Sequence, residues 1–252
     1  MTQLQRIRQQ VTDTEWQLRL DLAAAYRLVA LFGGDDLVFT HITAKVPGTS
    51  HFLINPYGAM FEEITASSLL KIDIDGCKVM GGDGELNPAG FLIHSCIHAA
   101  RPDAQCILHT HSINGVAVSA QSAGLLPVSQ FAMTVLHSLA YHDYEGVALD
   151  DDEKPRLVRD LGVNQFLMLR NHGLLTIGNS VAAAFLAMHR FEAACMVQVR
   201  AQSAGGPLVV IPDQVLALAG GQLATVRAGK GADLVWPGLL RRLSRRYPGH
   251  DV

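Results

Sequence analysis

The chain switches repeatedly between helix-period stretches and shorter stretches with period-two alternation. Residues 14–32, TEWQLRLDLAAAYRLVALF, place Leu18, Leu22, Ala25 and Val29 at helical spacing, and Gly33-Gly34 stops the helix. Strand patterns follow: VFTHITAKV alternates, FLINP is short and apolar, and LLKIDIDG ends in a turn. NPAGFLIHSCIHAARPD predicts a helix that opens near Pro88 and stops before Pro102. AQCILHTHS predicts a strand, apolar on the way in and polar at its end.

Residues 114–123 and 129–140 read as helical, broken by Gly124 and Pro127. GVAL predicts a short strand, and DDEKPRLVRDLG a charged surface helix. QFLMLRNHGLLTIG holds two strands around Asn171-His172-Gly173, where Gly173 is expected to let the backbone turn sharply. SVAAAFLAMHRFEAACMVQVRAQ predicts a long amphipathic helix capped by Ser180. A Gly-rich tail after Gly205 ends in a short helix, WPGLLRRLSRRY. No repeat or linker interrupts the pattern, which fits one α/β domain over residues 1–252 with strands gathered and helices outside.

Composition narrows the function classes. With 49% hydrophobic and 17% charged residues the chain has ample material for a core. A net charge of −3 argues against a dedicated nucleic-acid or acidic-membrane binder, and Arg241, Arg242, Arg245 and Arg246 read as a solvated helix face. No window reaches the roughly 18 apolar residues of a membrane span, and MTQLQRIRQQVTDTEW shows no apolar signal segment. Cys77, Cys96, Cys106 and Cys195 are scattered without a CxxC pair, so each reads as a small buried apolar residue. These features lead us to expect a soluble, reduced, cytoplasmic protein.

The chemistry concentrates in histidines. In a strand, His109 and His111 put both imidazoles on one face, because side chains alternate. Two neutral imidazoles at that spacing can share a divalent ion. His172, in RNHGLL, stands at the end of another apolar strand, and three histidines leave an open coordination position of the kind catalysis requires. His94 and His98 lie four apart, on one helix face.

The segments ILHTHS, RNHGLL and NPYGAMFEEITASSLLKIDIDG resemble the class II aldolase and adducin family in order and spacing from about residue 15 to about residue 200. Residues 201–252 are then a C-terminal extension. The resemblance implies a three-layer α/β/α sandwich around a mainly antiparallel sheet. It also implies a homotetramer acting on a small molecule, and a divalent ion on His109, His111 and His172. Zinc is the first expectation for that ion, with iron, manganese or cobalt as alternatives.

The family's sugar-phosphate aldolases carry a Glu at the start of the helix before the HxH strand, where this chain has Gly90. Their phosphate-binding pairs fall on Thr40-His41 and Pro88-Ala89 here, so the donors for a dianion are largely missing. A Tyr used as proton donor in some members falls near Phe131, with Tyr141 and Tyr144 as substitutes. We therefore expect Glu85, Tyr144 and His41 as catalytic candidates. Thr40, Thr43, Asn55, Gly58 and Gln130 are the substrate-binding candidates, with Ser112, Asn114 and Glu145 as further pocket residues and Asn171 as support for a ligand. Retained ligands with a lost phosphate clamp predict a lyase cleaving a C–C bond in a non-phosphorylated oxo- or hydroxy-acid. The alternatives are a mononuclear non-heme iron oxygenase acting on an aromatic oxo acid, and a non-catalytic binding protein of adducin type.

Overall fold

Eight strands form one mixed sheet in the computed structural model, which describes residues 3–227 and 231–252. The one-domain expectation includes residues 1–2 and 228–230, which lie outside the described residues. The strands are β1 (His41–Lys45), β2 (Phe52–Ile54), β3 (Leu70–Ile72), β4 (Lys78–Met80), β5 (Cys106–Thr110), β6 (Leu139–His142), β7 (Phe166–Leu169) and β8 (Gly173–Gly178). Their order is β4-β3-β2-β1-β5-β8-β7-β6. The β6–β7 pairing is parallel and the other strand pairings are antiparallel, so the sheet is mixed rather than uniformly antiparallel.

The helices are α1 (Gln3–Gln10), α2 (Asp13–Leu31), α3 (Pro88–Ala100), α4 (Ile113–Ser119), α5 (Gln130–Leu136), α6 (Lys154–Leu161), α7 (Val181–Ser203), α8 (Asp213–Arg227) and α9 (Gly231–Arg246). Local chemistry sets their starts. Thr12 Oγ1 accepts from Glu15 N at 3.1 Å to open α2, and Ser180 Oγ accepts from Ala183 N at 3.1 Å to open α7. Asn87 Oδ1 accepts from Gly90 N at 3.3 Å, and Pro88 occupies the first turn of α3.

Alternate strand residues feed two apolar clusters. Cys106, Leu108, Phe166, Met168 and Leu174 pack with α2 and α7, whereas Ile107, Leu167, Leu169, Leu175 and Ile177 pack with α3 and α6. Helices therefore cover both faces of the sheet. His109 and His111 share the parity of Ile107 and emerge on the α3 face.

Several local expectations change. GVAL, expected as a strand, is irregular, and an edge strand instead forms at Leu139–His142, overlapping the end of the 129–140 stretch that reads as helical. Those residues are mostly half-buried, so periodicity there carries little signal. Strand β4 and helices α1 and α8 add to the predicted elements, and the terminal helix starts earlier, at Gly231. Cys106 and Cys195 are buried, whereas Cys77 is exposed and Cys96 intermediate. The arginine cluster lies exposed on α9, with the Arg242 guanidinium 4.7 Å from the Phe32 ring centroid. Among the described residues no helix is long and apolar enough to cross a membrane.

Candidate metal centre

The three histidines of the motif meet at one point. His109 Nε2 and His111 Nε2 are 2.9 Å apart, and His111 Nε2 and His172 Nε2 are also 2.9 Å apart. His109 sits at the end of β5, His111 just beyond it, and His172 in the turn between β7 and β8. Because β5 pairs antiparallel with β8, Thr110 lies opposite Leu174, and the turn before β8 brings His172 beside His111.

Two of the outer nitrogens are tied to acceptors. His109 Nδ1 lies 3.0 Å from the Leu174 carbonyl oxygen, and His111 Nδ1 lies 2.8 Å from Asp36 Oδ2. A carbonyl or a carboxylate accepts only, so both rings carry their proton on Nδ1 when neutral. Both Nε2 atoms are then bare, and they face each other at hydrogen-bond distance with no proton between them. Such a lone-pair contact is unfavourable without a cation. The residues present thus fit a divalent ion, and the Asp36 and Leu174 contacts have the form of the outer hydrogen bonds that orient histidines on a metal.

Burial favours the neutral form required of ligands. It holds His109 well below the usual imidazole range, with His172, His111, His41 and His94 adding to the effect. Burial, then His111 and His142, lowers His172 to about 4.

A cleft of about 360 Å³ opens over the trio, walled by Phe39, Tyr57, Ile93, Tyr144, Val147 and Ala148. His41, on β1 opposite His109, lies in its wall, fully buried, with its ring centroid 5.3 Å from that of His109. Neither nitrogen of His41 has a hydrogen-bond partner. Burial, then His111 and His172, depresses His41 to about 3. Gly90 also lines the cleft, and a Cβ there would lie 2.7 Å from His41 Nδ1. The His41 ring therefore fills the space that a side chain on Gly90 would take.

The other candidates are dispersed. Tyr144 lines the cleft, its ring 6.2 Å from that of His172. Glu85 is exposed and is not part of the cleft wall; its carbonyl accepts from Tyr57 N at 2.9 Å. Thr40 is buried with Oγ1 unpartnered. Thr43 Oγ1 is held between His94 and His98, and Asn55 Oδ1 accepts from Tyr26 Oη at 2.8 Å. Gly58 is exposed beside Tyr57, and Gln130 is exposed at the start of α5. Ser112 and Asn114 both bond Glu192, and Glu145 pairs with Arg156, all outside the cleft wall. Tyr141 Oη accepts from Leu125 N at 3.1 Å under the Arg170 guanidinium.

The turn between β7 and β8 works differently from the expectation. Asn171 takes the left-handed backbone, with φ 57°, a conformation that Asn tolerates. Gly173 serves close approach instead: a Cβ there would lie 2.3 Å from the Thr110 carbonyl oxygen. Sequence reasoning missed Asp36, which carries no local motif, and Tyr57, which lies between the candidates Asn55 and Gly58 in NPYGAM. Asp36 joins the site through its contact with His111, and Tyr57 stands in the cleft wall where it bridges to Glu85.

The family model for the Class II Aldolase and Adducin N-terminal domain matches residues 20–199. This chain belongs to that family. It is 57% identical over 247 residues to a Pseudomonas aeruginosa protein whose name provisionally places it in aldolase class 2, covering 97% of this chain and 95% of that one. It is 49% identical over 195 residues to alpha-adducin of Rattus norvegicus, covering 75% of this chain but 26% of the adducin. The solved L-fuculose 1-phosphate aldolase from Glaciozyma antarctica PI12 is similar at 29% identity and a TM-score of 0.82, with 94% and 95% of the two chains covered.

Proposed function

We propose that this protein is a metal-dependent lyase that cleaves a C–C bond, by aldol cleavage or decarboxylation, in a non-phosphorylated oxo- or hydroxy-acid. The observation that carries this reading is the convergence of three imidazole Nε2 atoms at the floor of a cleft whose wall holds no Lys or Arg among the described residues. A phosphate dianion would find no cationic side chain there, whereas an oxo- or hydroxy-acid presents two oxygens to one ion. When bound, the ion supplies Lewis-acid polarisation of the substrate carbonyl.

The chain's own residues do the rest. His109, His111 and His172 hold the ion, with Asp36 and the Leu174 carbonyl fixing the two outer protons. The Tyr144 phenol, at the cleft mouth, is the proton donor. His41 packs beside His109 in the wall. Phe39, Tyr57 and Val147 shield the bound acid from water. Zinc is the proposed ion and a homotetramer the proposed assembly.

Retention of the full ligand set favours the lyase over a purely structural adducin-type role. Turnover of zinc-loaded protein on a panel of 2-oxo and 2-hydroxy acids, against phosphorylated sugars, tests the reading. Turnover of phosphorylated sugars alone contradicts the substrate class. Oxygen uptake by iron-loaded protein would instead favour an oxygenase.

A further inference from the structure

A line of buried polar groups runs from the far end of α3 to the cleft. His98 Nδ1 lies 2.9 Å from the Ala104 carbonyl oxygen, and His98 Nε2 lies 2.7 Å from Thr43 Oγ1. Thr43 Oγ1 in turn lies 2.7 Å from His94 Nδ1. The His94 ring packs at 4.2 Å, between centroids, from that of His41. These residues meet because Gly90, His94 and His98 recur four apart on the face of α3 that packs on β1, where His41 and Thr43 share one side.

The proton positions along the line follow one from another. A carbonyl only accepts, so His98 carries its proton on Nδ1. Burial holds His98 at about 3, so the ring is neutral and its Nε2 is bare. Thr43 has one hydroxyl proton, and its O–H donates to the bare His98 Nε2. The Thr43 oxygen must then accept from His94, which places the His94 proton on Nδ1 and leaves His94 Nε2 bare. That nitrogen is fully buried and has no partner, and both nitrogens of the neighbouring His41 also lack partners. Unpaired buried polar groups cost free energy, so pairing across this gap is favourable.

We propose that Thr43 is a positioning residue: through the Ala104–His98–Thr43–His94 relay it fixes the His94 proton on Nδ1 and makes His94 Nε2 an acceptor for the single N–H of His41, so that the relay sets how the His41 ring stands in the cleft wall. The relay does not rest on the cleft being the substrate site.

Long-range proton–nitrogen NMR of the ¹⁵N-histidine-labelled, zinc-loaded protein reads the tautomers directly. His94 and His98 are expected as Nδ1–H tautomers and His41 as a single tautomer. Thr43→Val removes the hydroxyl and should shift the His94 signal toward Nε2–H and broaden that of His41, while Thr43→Ser restores both. An Nε2–H tautomer at His94 in the unaltered protein overturns the relay, and that result does not depend on any variant folding. So does a Thr43→Val protein with His94 and His41 unchanged. Zinc content is measured on the same samples, so absence of zinc in the unaltered protein counts against the metal reading separately from the relay.

Discussion

Gly90 and His41 occupy one space. The His41 ring lies where a side chain on Gly90 would begin, with 2.7 Å between the added Cβ and Nδ1. The first turn of α3 and the first residue of β1 are thus matched to each other, glycine on one side and imidazole on the other.

That match predicts an overpacking penalty. Gly90→Ala should lose about 1–3 kcal/mol of stability in urea titration, in the range for added volume in a packed site. Combining it with His41→Ala should recover much of the loss. Additive penalties would show that the two positions are not in contact.

The outer hydrogen bond from Asp36 makes a separate prediction. Asp36→Asn loses the carboxylate that fixes the His111 proton, and zinc affinity should fall about 10- to 100-fold. Competition with a chromogenic chelator reads this. Unchanged affinity would show that His111 needs no such partner.

Gly173→Ala should damage stability and metal affinity together. The added carbon would fall 2.3 Å from the Thr110 carbonyl, a backbone atom on the strand between His109 and His111. A substitution placed equally well in the turn, Asn171→Gly, should leave zinc affinity within a few fold, because Gly accepts a left-handed backbone readily. Equal damage by both would contradict the close-approach account. Urea melts and zinc titration of each variant supply the comparison.

Acid should destabilise the metal-free protein before carboxylates titrate. His98 is held at about 3 by burial, against 6.5 for a free imidazole, and burial also pushes His94 well down. The folded state therefore resists protons that the unfolded chain accepts. The contribution is fully present above pH 6.5 and is lost as pH falls from there toward 3. Each such histidine steepens the slope by about 1.4 kcal/mol per pH unit in that window. Urea melts in chelator between pH 7 and 5 check this, and a flat stability profile would mean these rings protonate in place.

The motif histidines were legible in the sequence because their signals are local: an alternating pair at a strand end, and a third His before a glycine in a strand–turn–strand. The departure at Gly90 was legible too, but its consequence was not. Filling that space with His41 depends on β1 packing under α3, a contact between residues 49 positions apart. Thr43 read as a substrate ligand, and only the packing of β1 under α3 turns its hydroxyl to two histidines on that helix. Asp36 sits in an irregular loop with no pattern of its own. The edge strand β6 escaped for a different reason: it is short and half-buried, and its neighbours continue a helical spacing.

Zinc titration by calorimetry of the metal-stripped protein and of His172→Ala tests the central claim most directly. The account predicts one ion per chain in the unaltered protein, with a raised melting temperature on binding, and no comparable binding in the variant. No zinc binding and an unmoved melt in the unaltered protein would contradict it.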